Sequence, residues 1–408
     1  MHINLGRTLS KTFIATAIAL ILTIPGWAQA TEKILYNFTD AGDGGYPQSG
    51  VVIDSKGNLY GTASGGGTGS ICHCGAFFEL SPGANGTWTQ TTLYSFGSNP
   101  SDGTDPYGSL VFDLKGNLYG TTLNGGTYGQ GTVFELSPGS NGTWAEKIIY
   151  NFSGGADGGD PYSSRLTIDG AGNLYGTTNF GGAYGLGVVF ELVVVPNSTW
   201  TEKVLHPFTG NQDGSTLYNV SLVLDGAGNL YGIARQGGAH DYGVVFALVP
   251  MSDGTWSEKV IYSFTAAGGE AAPTGGLLLD ALGNLYGVAE DVFQLIPGSD
   301  GTWTHKTLLT FSGPPDGAYP LAALISDKAG NLYGTTYQGG THYGTVFELL
   351  PAANGKWNEK ILHRFTDSAG DGKLPSTVSL TMDASGNLYG TTETGGTSNS
   401  GVVFEVTP

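Results

Sequence analysis

The chain has 408 residues, of which 34 are acidic and 16 basic, so its formal charge is −18. An acidic chain without a basic stripe is repelled by phosphates, which excludes nucleic acid as an expected partner. Glycine is abundant, but aromatic and β-branched residues recur in register, and this favours an ordered fold over disorder.

The first thirty residues have the pattern of a secretory signal peptide. Arg7 and Lys11 form a positively charged segment before an apolar run at 12–24. Residues 28–30 form a small-x-small cleavage site. The run is too short for a comfortable membrane span. We therefore expect an exported protein, secreted, periplasmic or at the cell surface, whose mature chain begins near Thr31 and carries no membrane span.

The segment Gly-Asn-Leu-Tyr-Gly occurs seven times along the rest of the chain. Its copies start at Gly57, Gly116, Gly172, Gly228, Gly283, Gly330 and Gly386. The steps between them run from 47 to 59 residues. A period of this length indicates one supersecondary unit copied in tandem.

The second unit shows what each copy contains. Short apolar or alternating runs at 110–113, 118–122, 132–136 and 144–152 are separated by turn residues, which is typical of four antiparallel strands. None of these segments has helical periodicity. Seven such four-stranded sheets predict an all-β, seven-bladed β-propeller.

The two ends of the repeat region complement each other. Residues 32–38 have the sequence of a fourth strand, whereas residues 401–406 have that of a third strand. We therefore expect the N-terminal strand to complete the last blade and close the ring, which removes two sheet edges. Residues 31–408 are predicted to be one propeller domain, and we expect a monomer.

Several recurrent residues have structural explanations. Six tryptophans that begin fourth strands are predicted to be packing anchors: Trp88, Trp144, Trp200, Trp256, Trp303 and Trp357. Seven aspartates three residues before each Gly-Asn-Leu-Tyr are predicted to form turns: Asp54, Asp113, Asp169, Asp225, Asp280, Asp327 and Asp383. Cys72 and Cys74 flank His73, and this arrangement fits either a local disulfide or part of a metal site.

The loops after the second and fourth strands of each blade open on one face of a propeller. They are the longer and more variable loops here, so we place a binding site on this face near the central channel. Tyrosines of the loops after the second strands are candidate ligand-binding residues: Tyr128, Tyr184, Tyr242 and Tyr343.

Blade five lacks the Gly-Gly loop, and its absence predicts a notch in the rim. Arg235, His240 and Asp241 of blade four border the notch, with Glu290 and Asp291 opposite. These five residues are the candidate catalytic set, because such groups in a cleft support proton transfer or bind an acidic sugar. Arg235 and His240 are also candidate ligand-binding residues. A neutral deletion with solvated neighbours explains the same pattern.

Acidic loops also raise the question of a metal. Asp102 and Asp105 in one loop, and Asp157 and Asp160 in the next, offer the oxygen ligands that calcium prefers. Their spacing is not that of an EF-hand, and acidic turns are common without an ion. Calcium is the one cofactor that the sequence suggests; otherwise none is expected.

The unit Asp-x-x-Gly-Asn-Leu-Tyr-Gly-Thr-Thr-x-x-Gly-Gly, followed by Gly-Thr-Val-Phe-Glu-Leu, resembles the Gloeo/Verruco tandem repeat of the choice-of-anchor tandem repeat proteins of bacteria. The match is close at 113–126 and 131–136 and covers nearly all of 31–408. The resemblance implies an exported bacterial protein without an established activity and supplies no catalytic residues. Many relatives carry a C-terminal anchor; this chain ends at Pro408, which favours a released or periplasmic protein.

Three functions remain open from the sequence. The leading hypothesis is a non-catalytic binding module or scaffold for extracellular glycan or a surface protein. The alternatives are a polysaccharide lyase or glycoside hydrolase with its site at the notch, and a purely structural surface or matrix protein. The enzyme hypothesis rests on analogy between propellers.

Overall fold

Each predicted repeat folds into a four-stranded antiparallel sheet, and the seven sheets form a seven-bladed β-propeller. The computed structural model describes residues 30–408 except 163–164, 196–198, 266–271, 354, 376 and 378. The predicted signal peptide thus lies outside the described residues, apart from Ala30. Among the residues that the structure describes, no helix has the length and apolar character to cross a bilayer.

The first strand of each blade is short and the fourth is long. Blade one contains Val52–Ile53, Leu59–Ala63, Ala76–Pro82 and Trp88–Ser95. Blade two contains Val111–Phe112, Leu118–Thr122, Thr132–Pro138 and Trp144–Asn151, and blade three contains Thr167–Ile168, Leu174–Thr177, Val188–Val195 and Thr199–Pro207. Single 3-10 turns at Ala84–Gly86 and Ser140–Gly142 join the third and fourth strands of blades one and two.

The remaining blades repeat the same order. Blade four contains Val223–Leu224, Leu230–Ala234, Val244–Pro250 and Trp256–Ser263; blade five contains Thr274–Leu279, Leu285–Val288, Asp291–Pro297 and Trp303–Thr310. Blade six contains Ile325–Ser326, Leu332–Thr336, Thr345–Pro351 and Trp357–Arg364, and blade seven contains Thr381–Met382, Leu388–Gly395, Val402–Thr407 and Thr31–Asn37.

Ring closure occurs as the sequence predicts. The N-terminal strand Thr31–Asn37 pairs antiparallel with Val402–Thr407, from Thr31 opposite Thr407 to Asn37 opposite Val402. Lys33 then donates to the carbonyl of Gly86 in blade one at 2.6 Å. Lys203, Lys259 and Lys306 make the same bridge to the next blade elsewhere in the ring. The last junction is therefore built like the others.

Packing inside a blade explains the glycine of the repeated segment. Phe134 of the third strand is fully buried and lies against Gly120 of the second strand. A Cβ at Gly120 would lie 2.6 Å from the Phe134 ring, so no larger residue fits without a shift. The equivalent glycines of the other six blades face the equivalent phenylalanine in the same way.

Aromatic rings also join adjacent blades. Phe96 at the end of blade one packs on Phe134 of blade two at a centroid distance of 5.2 Å. The six predicted tryptophan anchors each pack on the repeat tyrosine of the preceding blade, for example Trp200 on Tyr119 at 5.9 Å. This confirms the prediction that they are packing residues. Edge-to-face pairs of this kind add about 0.5–1.5 kcal/mol to the burial of each ring.

The seven aspartate turns are also confirmed. In blade two, Oδ1 of Asp113 accepts from the backbone N–H groups of Lys115 and Asn117, at 2.7 and 2.9 Å. Its Oδ2 accepts from the side-chain amide of Asn117 at 2.8 Å and from the hydroxyl of Tyr119 at 3.4 Å. These turns line one face of the propeller, which we call the turn face.

The opposite, loop-rich face is organised by pairing between its two kinds of loop. Gly103–Thr104 pairs with Asn124–Gly125, and Gly317–Ala318 pairs with Gln338–Gly339. In blade seven Gly372–Pro375 pairs with the extended second strand. The loop entering a blade is thereby held against the loop after its second strand, which positions the residues around the channel mouth.

Candidate functional site at the loop-rich face

At the loop-rich end of the second strands, one position carries six different residue types in the seven blades. These residues are Ser64, Leu123, Asn179, Arg235, Glu290, Tyr337 and Glu393. The residue before each of them is a buried Ala or Thr, so the strand ends are alike up to this position. The wide variation at this position marks the ring of seven residues as a place where the blades are not equivalent.

A second ring lies closer to the axis and carries three tyrosines in succession. Tyr107, Tyr162 and Tyr218 precede the first strands of blades two, three and four. The ring centroids of Tyr107 and Tyr162 are 5.1 Å apart, and those of Tyr162 and Tyr218 are 4.2 Å apart, with interplanar angles of 26° and 19°. We call these three residues the tyrosine arc.

A carboxylate faces the tyrosine arc from blade seven. Glu393 accepts from the hydroxyl of Tyr337 at 2.9 Å and from the side-chain amide of Gln48 at 3.2 Å. Burial and the hydrogen bond to Glu393 raise the pKa of Tyr337 to about 12, so this phenol remains a donor at neutral pH. Burial and the nearby carboxylate of Asp105 raise the pKa of Tyr107.

A cavity of about 430 Å³ lies between the arc and blades one and seven, and we call it the mouth pocket. Its lining side chains are Asp40, Tyr46, Gln48, Ser64, His73, Asp105, Tyr107 and Glu393. The pocket combines aromatic edges with carboxylates, an amide and a hydroxyl. Such a lining suits a ligand rich in hydroxyl groups and disfavours an anion.

The loop carrying His73 is closed by a disulfide between Cys72 and Cys74. Of the two arrangements that the sequence left open, the local disulfide is therefore the one formed. His73 is exposed at the rim of the mouth pocket, where its imidazole can meet a bound molecule.

The predicted notch exists and forms a cavity of about 300 Å³, which we call the notch pocket. Arg235 and the exposed Glu290 both line it, together with Phe311 and Tyr319. His240 is exposed and is not among the residues that line this cavity. The structure brings together two of the five proposed catalytic residues here.

Asp291 and Asp241 lie elsewhere. Asp291 is fully buried as the first residue of the third strand, because the short turn places Val288 directly opposite Val292. It therefore does not face the notch as the sequence suggested. Asp241 is exposed, and its Oδ1 accepts from the backbone N–H of Gly237 at 3.0 Å, which stabilises its own loop.

The predicted loop tyrosines do not line the mouth or notch pockets. Tyr128 and Tyr184 are exposed at the tips of their loops, and Tyr242 is partly exposed. Tyr343 is half-buried against the core, with the ammonium of Lys373 over its ring at 5.0 Å. No ring contact joins these four described tyrosines to one another, whereas the arc tyrosines stack in succession.

The calcium candidates accept hydrogen bonds from neighbouring protein groups. Oδ2 of Asp102 accepts from the hydroxyl of Tyr94 and the N–H of Ser98, both at 2.8 Å. Asp105 instead accepts from Asn124 at 3.1 Å. Asp157 repeats the first arrangement and Asp160 the second, with Tyr150 and Asn179 as respective donors. The two aspartates of each loop thus have different partners.

In the described part of the chain, one group of three side chains could hold a metal ion. Glu32, His363 and Asp371 place one donor atom each within 4.8 Å of one another at the junction of blades six and seven. Nε2 of His363 lies 3.6 Å from Oδ1 of Asp371. This junction site was not predicted from the sequence.

Comparison with known proteins gives a family but no activity. The family model described as the Gloeobacter/Verrucomicrobia repeat matches residues 23–162, 125–299 and 291–408. No curated protein matches the chain. Among solved structures, the chain is similar to a protein of unknown function from Dyadobacter fermentans, with 12% identity and a TM-score of 0.43. That similarity covers 81% of this chain and 98% of the other.

Proposed function

The chain belongs to the Gloeobacter/Verrucomicrobia repeat family, and we propose that this member is a non-catalytic binding module that takes a neutral glycan chain at the mouth pocket. The observation that carries the proposal is the stacked tyrosine arc beside a pocket of hydrogen-bonding groups. The variable ring around it supports the same location, since a site on a closed repeat needs positions at which the blades differ.

Aromatic edges and polar acceptors meet the two needs of a sugar ligand. The apolar face of a pyranose packs on an aromatic side chain such as Tyr107, while its hydroxyls donate to carboxylates such as Glu393. Tyr337 and Gln48 hold Glu393 in place from two sides, so its position is set before a ligand arrives. A preorganised acceptor loses less entropy on binding.

Charge favours a neutral glycan over an acidic one. Asp40, Asp105 and Glu393 all line the mouth pocket, and the whole chain carries a formal charge of −18. A uronic acid would place its carboxylate among these groups without a counter-charge. We therefore expect neutral polysaccharides to be retained and polyuronates to be excluded from this pocket.

The proposal is tested with the mature protein and a panel of neutral and acidic polysaccharides, by affinity electrophoresis. Tyr107→Ala should weaken retention by neutral chains about tenfold or more, because it removes a large buried contact surface. Glu393→Gln should weaken retention as well. Tyr128→Ala is the matched control, since it removes an exposed loop tyrosine outside the pocket.

Retention that survives both pocket substitutions in folded protein would place the ligand elsewhere and overturn the proposal. If the protein binds a surface protein and no glycan, its role as a binding module would stand, but the proposed glycan ligand would be wrong. Circular dichroism of each variant separates loss of ligand from loss of fold.

The notch pocket supports the second candidate, a polysaccharide-degrading enzyme. Arg235 and Glu290 line one cavity, so a cation and a carboxylate are available there. The same panel tests this candidate when chain length is measured after incubation. If the polysaccharide is shortened, and if both Arg235→Ala and Glu290→Gln abolish the shortening, catalysis at the notch would be established. Unchanged chain length would favour the binding module over the enzyme.

We also propose that the protein is exported. The signal pattern at residues 1–30 supports this, and the Cys72–Cys74 disulfide fits an oxidising compartment. Mass spectrometry of the native protein should find a mature N-terminus near Thr31.

A further inference from the structure

The central channel carries one large cationic side chain among small residues. The residue that enters each first strand is Gly50, Ser109, Arg165, Ser221, Gly276, Ala323 or Ser379 in blades one to seven. Six of these seven equivalent positions hold Gly, Ala or Ser, which allows the first strands to approach the axis. Arg165 is the one large residue among these seven equivalent positions.

Arg165 lies in an axial cavity of about 630 Å³, separate from the mouth and notch pockets. First-strand residues of several blades line it, including Thr167, Ser221, Leu278 and Ile325. This volume is in the range of small-molecule sites. The lining is largely aliphatic, with hydroxyl groups at intervals.

The cavity is separated from the mouth pocket by a side chain that crosses the axis. Asn219 of blade four donates to the carbonyl of Leu321 in blade six at 2.9 Å and to that of Thr377 in blade seven at 3.0 Å. Beyond this crossing the lining continues to Ile168 and Ser326, which lie beside the aspartate turns. The axial cavity therefore faces the turn face, opposite the mouth pocket.

The guanidinium of Arg165 has no partner among the described residues. It makes neither a hydrogen bond nor an ion pair there, although its side chain is accessible to solvent within the cavity. Neighbouring protein atoms desolvate the charged form and lower the pKa of Arg165. An arginine remains protonated at neutral pH nonetheless, so a positive charge with five donors stands in the cavity, and none of the described lining residues is acidic.

We propose that the axial cavity is an oxyanion-binding site in which Arg165 receives a carboxylate, sulfate or phosphate group. A guanidinium binds such groups through two parallel N–H···O bonds, and these are stronger where water is partly excluded. The hydroxyls of Ser221 and Ser379 line the same cavity and can donate to the remaining oxygens. This site is independent of the proposed glycan site, from which Asn219 separates it.

The test uses thermal unfolding and calorimetric titration of the mature protein with sodium sulfate, sodium acetate and sodium glucuronate. Sodium chloride is the reference at equal ionic strength. Wild-type protein should bind at least one of these anions, and binding should raise its Tm. Arg165→Ser should weaken the affinity about tenfold or more, because it removes a charge-assisted bidentate contact.

Arg165→Ser is a matched substitution, because serine occupies the equivalent position in blades two, four and seven. It should fold and be at least as stable as wild type without anion. Arg165→Lys should retain part of the affinity, and Arg235→Ser, which alters the notch, should retain all of it. Preference for glucuronate over sulfate and acetate would identify an acidic sugar as the source of the group.

Equal Tm increases in wild type and Arg165→Ser would show general salt stabilisation and overturn the proposal. Absence of binding in calorimetry would overturn it too. Tyr107→Ala should leave anion binding unchanged; since that variant tests the glycan site, failure of either proposal can be recognised without the other.

Discussion

Single aspartates close the turn of every blade at the turn face. Burial alone would raise the pKa of Asp225, but hydrogen bonds from Asn229 and Ala227 outweigh it and lower the pKa. Asp280 and Asp383 behave in the same way. The carboxylate is therefore held ionised as an acceptor by its own turn, which explains why aspartate recurs at this position of every blade.

Removing one of these carboxylates should destabilise its turn, because the turn loses its hydrogen-bond acceptor. Asp113→Ala leaves the amide of Asn117 and two backbone N–H groups without their acceptor, and we expect a loss of about 1–3 kcal/mol in the free energy of unfolding. Urea denaturation measures it. Leu114→Ala at the same turn is the control, because Leu114 is fully exposed. Equal losses in the two variants would contradict the assigned role.

Between blades, the fourth strands carry a repeated pairing of carboxyl groups. Burial, and then the charge of Asp102, raise the pKa of Glu146 to about 7. Glu202 and Glu258 also rise to about 7 through burial and a facing aspartate, and Glu359 rises to about 8. Blade one has Gln90 at this position. A neutral amide thus replaces the protonated acid in one blade.

These pairs predict a stability that depends on pH. A glutamate with a raised pKa binds more protons in the folded than in the unfolded state, so its contribution is complete below about pH 4.5 and is lost as the pH rises to 7–8. Glu146→Gln should therefore raise the free energy of unfolding at pH 8 by about 1–2 kcal/mol. Denaturation at pH 5 and pH 8 measures the difference.

The reciprocal substitution provides the control. Gln90→Glu places a carboxyl at the same position of blade one and should enlarge the loss of stability between pH 5 and pH 8. If neither substitution changes this difference, the facing carboxyl groups are not coupled to folding.

At the scale of the whole molecule, the seven blades are nearly identical. The chain ends that close the ring could therefore lie in any blade. The seam lies between a third and a fourth strand in blade seven, and every other blade has the same pair joined by a turn. A circular permutant that links Pro408 to Thr31 through about six residues and opens at Ala84–Gly86 should fold with nearly unchanged stability.

Circular dichroism and thermal unfolding check this expectation. A second variant, lacking residues 31–38, should lose most of its stability, because it exposes the edge at Val402–Thr407 and removes the buried Phe38. A permutant that fails to fold while the deletion variant folds would contradict the closure mechanism.

The sequence predicted the propeller well because the fold depends on contacts that recur. Gly120 against Phe134 and Trp200 against Tyr119 repeat around the ring, so periodicity reveals them. The notch followed from a deletion and correctly brought Arg235 and Glu290 to one cavity. The sequence around Asp291 did not indicate that this residue is buried at the start of the third strand, and it was expected to face the notch.

The channel-facing residues were missed for a different reason. Tyr107, Tyr162 and Tyr218 are distant in sequence and meet only because equivalent positions of adjacent blades converge on the axis. Arg165 likewise becomes notable only when compared with the six small residues at its level. Both sites could have been predicted by aligning the seven repeats and looking for positions at which one or a few blades differ from the rest. A search for motifs does not find them.

The pairing of the two chain ends has a consequence for how the molecule forms. Strand Thr31–Asn37 is synthesised long before its partner Val402–Thr407. Until then the early strand has no neighbour in blade seven, and its eventual pairing joins residues more than about 360 positions apart, a contact that is slow to form. Six blades can assemble in the order of their synthesis, but the ring cannot close before Val402–Thr407 has been made.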